Sequence, residues 1–174
     1  MKYLVSILSL IFCSCAVPNE FEEYIDSLDK IPLPESYGQE TAQSVTVNYN
    51  TTLFNKFKHH KADCPSGAII LRNNFVCTVD LDTNNGVYHP YLMTYDLKGN
   101  KLDSLELLNG MGSGDFGKTD IYATIQENGV IILTDTTYNW KFSDTGIIDS
   151  TKIRLSTRNY EYHIQDGGEI RRIK

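Results

Sequence analysis

The chain has 174 residues, of which 41% are hydrophobic and 22% charged, and its formal net charge is −6 at pH 7. These values are ordinary for one globular domain that buries a substantial core. The acidic balance argues against nucleic acid as a partner, because phosphate recognition needs a basic surface.

The first residues have the organisation of an export signal. Lys2 supplies a positive charge, and residues 4–12 form an apolar run that is too short to cross a bilayer as a helix. The small residue Ser14 then precedes Cys15, which resembles the lipobox of small exported lipoproteins of the Bacteroidetes type. The resemblance implies a signal peptide at residues 1–14, lipidation of Cys15 with palmitate, and a location in the bacterial cell envelope as an outer membrane lipoprotein, on the periplasmic face or at the cell surface. The alternative is an ordinary secretory signal in which the two cysteines of this segment are incidental.

Residues 15–43 are rich in acidic residues, serine and proline, and we expect a lipidated acidic tether with one short helix. Asn19 can cap the start of this helix, and Pro32 ends it. Four apolar residues recur within it at the spacing of a single helical face: Phe21, Tyr24, Ile25 and Leu28. The acidic residues resemble the surface-export signals of Bacteroidetes lipoproteins; the alternative is a solvated spacer whose helix frays.

From residue 44 to residue 174 the hydrophobic period changes to two, which is typical of β-strands. Residues 44–50 alternate, and residues 68–71 and 75–81 are rich in β-branched and aromatic side chains. The apolar runs flank short turns that contain glycine or asparagine: residues 72–74, 98–99, 127–129, 144–146 and 166–168. Consecutive hairpins without a helical pattern between them predict an all-β domain at residues 44–174, an antiparallel meander that forms a sandwich or a small open barrel.

Two of these hairpins share a sequence pattern. Residues 95–107 and 142–153 each contain an aromatic residue, a glycine four positions later, and then an aliphatic residue followed by Asp-Ser. The pattern is similar to the hairpins of six-bladed β-propeller lipoproteins, which implies propeller-blade-like units of four strands. A closed propeller needs about four blades or more, so this chain is too short to form one.

Residues 112–119, GSGDFGKT, match the phosphate-loop pattern G-x-x-x-x-G-K-[ST]. In a phosphate loop a helix begins directly after the lysine and threonine and points its N-terminus at the anion. Here the following residues are β-branched and aromatic and soon reach Asn-Gly, which predicts a hairpin. We therefore expect no bound nucleotide and a glycine-rich loop between two hairpins; long loops of this kind often carry binding residues.

Two further segments contain residue types that bind metals. Residues 80–86 place oxygen ligands at alternate positions, as a calcium loop does, but the glycine comes one position late and Tyr91 stands where a glutamate is needed. Residues 59–64 contain four zinc-type ligands, but adjacent histidines on a strand point to opposite faces. We expect turns and strand edges here, with no metal or other cofactor. The residues concerned are Asp80, Asp82 and Asn84 in the first segment and His59, His60, Asp63 and Cys64 in the second.

After the signal peptide the chain keeps two cysteines, Cys64 and Cys77, with twelve residues between them. An even number of cysteines in an exported protein favours a disulfide, which would stabilise the fold by about 3 kcal/mol on the loop-entropy account. We predict this disulfide; the alternative is a pair of buried free thiols.

Aromatic side chains are the candidate binding residues of the β domain. Seven of them fall on its predicted strands and turns: Tyr88, Tyr91, Tyr95, Tyr138, Trp140, Tyr160 and Tyr162. As possible contacts of a glycan or protein partner we select Tyr88, Tyr91, Trp140 and Tyr160. The alternative is that about half of these rings belong to the core or to cross-strand pairs.

The sequence contains no recognisable catalytic constellation. The G-x-S-x-G elbow of hydrolases is absent, and no set of histidine, serine and acid stands out from the background. We therefore predict a non-enzymatic binding or interaction module of the cell envelope. The alternative is an inhibitor or immunity-like protein that acts on a secreted or periplasmic partner, and a small hydrolase ranks last.

Overall fold

The computed structural model describes residues 19–38, 45–46, 48–71, 74–84, 87–110, 112–114, 117–142, 146 and 148–174. The predicted signal peptide at residues 1–14 and the predicted lipidation site Cys15 lie outside these residues. The helices of the described part are short, and none of them has the length and apolar character of a membrane span.

Two antiparallel sheets form the body of the protein, and the all-β prediction is confirmed. The four-stranded sheet has the order β2-β3-β4-β5, with β2 (Cys64–Ile69), β3 (Phe75–Asp82), β4 (His89–Asp96) and β5 (Lys101–Glu106). The six-stranded sheet has the order β1-β7-β8-β9-β10 and carries β6 on β7; its strands are β1 (Glu35–Tyr37), β6 (Gly112–Gly114), β7 (Gly117–Ile125), β8 (Val130–Phe142), β9 (Ile148–Ile164) and β10 (Ile170–Arg172). The two helices are α1 (Glu20–Asp26) and α2 (Thr51–Phe57). The described strands do not close into a barrel, so the architecture is that of a sandwich or an open barrel.

The main hydrophobic core lies between the two sheets. Odd-numbered residues of β3 meet odd-numbered residues of β7 and β8 there: Phe75, Cys77, Val79 and Leu81 from β3, and Ile121, Ala123, Ile125, Ile131 and Leu133 from the six-stranded sheet. Because side chains alternate along a strand, this contact fixes which face of each strand is inside.

The opposite face of the four-stranded sheet is covered by the two helices. Tyr91, Met93 and Tyr95 of β4 form a second core with apolar side chains of both helices: Phe21, Tyr24 and Ile25 of α1, and Leu53 and Phe54 of α2. The molecule therefore has three layers, which are the helical layer, the four-stranded sheet and the six-stranded sheet.

The helical layer corrects the predicted tether. Helix α1 begins as expected, with the Asn19 side chain accepting a hydrogen bond from the Glu22 N–H at 2.8 Å, but it ends at Asp26, before Leu28 and Pro32. Its apolar face is buried, however, and β1 pairs with β7, with Tyr37 opposite Ala123. Residues 20–37 thus belong to the folded domain, and the predicted domain boundary at residue 44 is wrong because the apolar face of α1 covers a sheet.

A second helix interrupts the predicted run of hairpins. The described residues between 45 and 50 are not in a strand, and α2 begins at Thr51. The Asn50 side chain accepts hydrogen bonds from the N–H groups of Thr52 and Leu53, both at 3.1 Å. The expected strand at residues 44–50 is therefore wrong at the described residues 45, 46 and 48–50: the Thr46 hydroxyl donates to the Ser66 carbonyl at 2.9 Å, and Asn50 is the N-cap of α2.

The predicted disulfide between Cys64 and Cys77 is also wrong, because both cysteines are free. Strands β2 and β3 are neighbours, but Cys64 lies opposite Leu81, four positions along β3 from Cys77. This offset is about 13 Å at the rise of a β-strand, whereas a disulfide needs Cα atoms within about 7 Å. Burial raises the pKa of the Cys77 thiol to about 12, which keeps it protonated and unreactive.

Candidate ligand-binding site

The structure does not bring the four predicted binding rings together. Tyr88 precedes β4 and is 44% exposed, whereas Tyr91 is 5% exposed and stacks on His59 with ring centroids 4.0 Å apart. Trp140 is half-buried in β8, and Tyr160 lies on the opposite face of the six-stranded sheet. The prediction of an available ring at Tyr91 is wrong, because its position in β4 faces the helical layer.

Tyr160 lines a cleft of about 330 Å³ between the two sheets. Strand β5 and the turn after it form one wall, and strands β8, β9 and β10 form the other. Two residues of the main core lie at its base, and polar side chains surround them. The lining residues are Ser104, Leu105, Glu106, Asn109, Ile121, Leu133, Asp135, Tyr160, Tyr162 and Arg172.

Two tyrosine rings and a guanidinium group form one side of the cleft. Tyr160 and Tyr162 are two positions apart on β9, so they share the inward face of the sheet. Arg172 lies opposite Tyr162 in the register of β9 and β10, and its guanidinium carbon is 4.5 Å from the centroid of the Tyr160 ring. This cation–π contact places a hydrogen-bond donor beside an aromatic face.

One carboxylate lies in the cleft. Asp135 lies in β8, and its Oδ1 accepts a hydrogen bond from the Thr137 hydroxyl at 3.2 Å. Glu106 ends β5 opposite Tyr91, so its side chain lies on the helical side of the four-stranded sheet, with Oε1 4.0 Å from Nδ1 of His89. The Asp135 carboxylate, the Asn109 amide and the Arg172 guanidinium group supply acceptors and donors beside apolar side chains, which is the usual composition of a small-molecule site.

Hydrogen bonds between the sheets fix the end of the cleft. The Asp103 carboxylate accepts the Ile170 N–H at 2.8 Å, and the Thr94 hydroxyl donates to the Gly168 carbonyl at 2.7 Å. Gly168 has a φ of 85°, and a Cβ there would lie 2.5 Å from Leu102 Cδ1, so both its backbone and its surroundings require glycine. Strand β10 is therefore attached to the four-stranded sheet, and the fold itself positions Arg172.

The phosphate-loop pattern belongs to a hairpin outside the cleft. Strand β6 pairs with β7, with Gly114 opposite Gly117, and Lys118 and Thr119 continue β7. The prediction that a strand follows this glycine-rich segment is confirmed, but the expected loop is wrong for residues 112–114 and 117–119, which pair as strands. A Cβ at Gly117 would overlap the carbonyl oxygen of Tyr138, so this glycine is needed for the close approach of β7 and β8. Residues 111, 115 and 116 lie outside the described part, and the expectation of no nucleotide stays a prediction.

The segments with metal-type ligands lie at the ends of regular elements: Asp80 and Asp82 end β3, and residues 59–63 connect α2 to β2. His59 and His60 lie after α2 and not on a strand, and their ring centroids are 4.3 Å apart, so the expectation that they point to opposite faces is wrong. Asp82 Oδ1 accepts the Asn84 N–H at 3.0 Å, as in an ordinary turn. Within the described ranges no three His, Cys, Asp or Glu side chains converge on one point. That the protein uses no metal stays a prediction.

The carboxyl group and the imidazole whose pKa values are most strongly shifted lie beside the helical layer and not in the cleft. Burial raises the pKa of Asp80 to about 6, although the His59 N–H donates to its carboxylate at 2.7 Å and the Thr78 hydroxyl at 3.2 Å. Burial, with the neighbouring His60, lowers the pKa of His59 to about 4. These two groups therefore concern the stability of the helix–sheet interface.

Sequence reasoning selected Tyr160 and named Tyr162 among the candidate aromatic residues, but it did not find the cleft residues Asp135 and Arg172. The alternation of Tyr160 and Tyr162 was a usable signal, because residues two apart share a face of a strand. The opposite wall comes from β5, more than fifty residues earlier in the chain, and no local pattern connects the two. Comparison with family models, with curated proteins and with solved structures gave no match to this chain.

Proposed function

We propose that the protein is a non-enzymatic binding module that holds a short glycan in the cleft between its sheets. The observation that carries this proposal is the combination of Tyr160 and Tyr162 on one face of β9 with Arg172 above the Tyr160 ring. Aromatic faces pack against the C–H groups of a sugar ring, and charged or amide groups bind its hydroxyls.

The polar groups of the cleft suit a ligand that both donates and accepts hydrogen bonds. The Asp135 carboxylate accepts, whereas Asn109 and Arg172 donate. A sugar hydroxyl can satisfy either kind of group. The volume of about 330 Å³ lies at the lower end of ligand sites, which favours one or two sugar rings.

Titration calorimetry with a panel of neutral oligosaccharides tests this function. We expect one or more sugars to bind, and the substitutions Tyr160→Ala and Tyr162→Ala each to weaken binding about tenfold or more. The matched control is Tyr122→Ala, since Tyr122 is 46% exposed on the outer face of the same sheet. If no sugar binds, or if all three substitutions weaken binding equally, the proposed site is wrong.

We also propose that the protein is a lipoprotein of the cell envelope, anchored through Cys15. Only three residues separate Cys15 from Asn19, the N-cap of α1. Four extended Cα–Cα steps span about 14 Å, so the anchor would hold the folded domain close to the bilayer. Palmitate labelling of cells tests this anchor: we expect label on the protein and on Cys13→Ala, and none on Cys15→Ala. Label that survives Cys15→Ala contradicts the proposal.

The second candidate is an inhibitor or immunity-like protein. The observation that favours it is the exposed stretch of β9 at residues 154–159, which extends past the part of the strand covered by β10. Recovery of one dedicated protein partner, with no sugar binding, would favour this function over the first.

A further inference from the structure

Strand β9 has a long open edge. On one side it pairs with β8 along most of its length, from Ile148 to His163. On the other side β10 pairs only with residues 162–164, and the C-terminal residues add hydrogen bonds to Glu161. Among the residues that the structure describes, no strand lies beside residues 148–160 on that side.

The hydrogen bonds of Glu161 show which backbone groups face the open side. Its N–H donates to the Lys174 carbonyl at 3.2 Å, and its carbonyl accepts from the Ile173 N–H at 2.7 Å, both away from β8. Backbone direction alternates along a strand, so the N–H and C=O groups of Asn159, Thr157 and Leu155 also point away from β8. These groups form a regular row that another strand can pair with.

The charges on this part of β9 determine which charge a strand that pairs with it should carry. Residues 154–159 are all exposed, and they include Arg154 and Arg158 on one face. Residues 150–160 contain three basic residues and no acidic residue, in a chain whose net charge is −6. A segment that adds to this edge therefore gains from carrying acidic residues.

The same charges disfavour a second copy of this chain as the occupant. Antiparallel pairing of two β9 edges would place Arg154 and Arg158 of both copies on one continuous sheet, where like charges repel. Basic residues on an exposed edge are a known means of preventing self-association of sheets. An acidic strand does not meet this repulsion.

We infer that the open edge of β9 binds an extended acidic segment of another protein, which extends the six-stranded sheet by one strand. The interaction is independent of the glycan proposal, because the backbone of β9 provides the affinity and Arg154 and Arg158 provide the selectivity. Such a surface would serve a binding module and an inhibitor equally.

Amide hydrogen exchange measured by NMR tests the inference directly. The probe is a capped peptide of about nine residues that alternates threonine and glutamate, and its control alternates threonine and lysine. We expect the glutamate peptide alone to slow exchange of the Leu155, Thr157 and Asn159 amides about tenfold. Amides of the intervening residues, which already pair with β8, should change little.

Two variants separate the backbone from the charge. Thr157→Pro removes one N–H that faces the open side and leaves the hydrogen bonds to β8, so it should abolish the protection, whereas Thr157→Val should retain it. The double variant Arg154→Glu, Arg158→Glu should reverse the charge preference of the edge, so that only the lysine peptide slows exchange of the three amides. The double variant keeps all backbone groups and covers the case in which Thr157→Pro fails to fold.

Two results overturn the inference. One is a glutamate peptide that leaves these three amides unchanged, or that protects them equally in the charge-reversed variant. The other is protection of the same amides without peptide, together with a dimer in analytical ultracentrifugation, which would make a second copy the occupant. Neither result bears on sugar binding, which the Tyr160 and Tyr162 variants measure separately.

Discussion

The replacement of Asp80 by asparagine should change how the stability of the protein depends on pH. The Asp80 side chain is completely buried in β3 beneath the helices, where its carboxylate accepts hydrogen bonds from the His59 N–H and the Thr78 hydroxyl. The charged group that faces it is Lys58, which lowers its pKa, but burial is the larger effect. The pKa of Asp80 therefore rises from 3.8 to about 6.

The sign of the effect follows from proton binding. Between pH 3.8 and pH 6 the folded protein binds more protons at Asp80 than the unfolded chain does, so the free energy of unfolding falls as pH rises. A shift of about two pKa units corresponds to about 3 kcal/mol. This contribution is present below about pH 4 and is lost above about pH 6.

His59 has the opposite effect over a similar range. Its pKa falls from 6.5 to about 4, so it contributes stability above pH 6.5 that is lost as the pH falls towards 4. The ring stacks on Tyr91 but lies nearer the solvent than Asp80, so we assign it about 2 kcal/mol. The two contributions largely cancel in the unmodified protein between pH 4 and pH 6.5.

Urea unfolding at pH 4, 5, 6 and 7 measures the two contributions separately. The free energy of unfolding of Asp80→Asn minus that of the unmodified protein should rise by about 3 kcal/mol from pH 4 to pH 7. The same difference for His59→Phe, which keeps an aromatic ring on Tyr91, should fall by about 2 kcal/mol. Other carboxylates affect all three proteins alike and drop out of the differences. If the free energy of unfolding of Asp80→Asn changes with pH in the same way as that of the unmodified protein, Asp80 does not bind a proton in the folded state and the assignment is wrong.

Two further predictions concern packing. Phe21→Ala should lower the free energy of unfolding by about 3 to 4 kcal/mol, because Phe21 is 3% exposed between α1 and the four-stranded sheet. The control is Glu22→Ala on the exposed face of α1, which should change the free energy of unfolding little. A small effect of Phe21→Ala would restore the tether interpretation. Gly117→Ala should lower the melting temperature strongly, because the added Cβ would overlap the Tyr138 carbonyl. Gly112→Ala should leave the melting temperature nearly unchanged, because a Cβ at Gly112 meets no described atom within 4 Å. Equal melting temperatures in differential scanning calorimetry would contradict the close approach of β7 and β8.

The sheets could be predicted because their signals are local. The turn at residues 127–129 contains Asn-Gly, and Gly129 has the positive φ of 80° that such hairpins require. Residues 75–81, which are rich in β-branched and aromatic side chains, form β3 as predicted. The two helices were harder to predict because local and tertiary signals disagree there. Helix α1 has acidic residues on one face and an apolar face on the other, and only the sheet beneath it decides that the apolar face is buried.

The register between strands and the cleft could not be predicted from local patterns. Cys64 and Cys77 lie on neighbouring strands, yet the register keeps them about 13 Å apart, and no sequence spacing specifies a register. The cleft joins Leu105 of one sheet to Tyr160 and Arg172 of the other through the attachment of β10 to Asp103. Such a site exists only when the two sheets have packed.

The β4–β5 hairpin places the cleft away from the start of the folded domain. At one end of the hairpin, the turn at Gly99 packs so closely on Phe21 that a Cβ at Gly99 would lie 2.8 Å from the ring. At the other end, Glu106 pairs with Tyr91 and lines the cleft. The residues between Gly99 and Glu106 extend over about 20 Å. An anchor at Cys15 would attach near the Phe21 end, so the hairpin would hold the cleft away from the bilayer and open to ligands in solution. The burial of α1 against the four-stranded sheet fixes the position of the Phe21 end relative to the cleft.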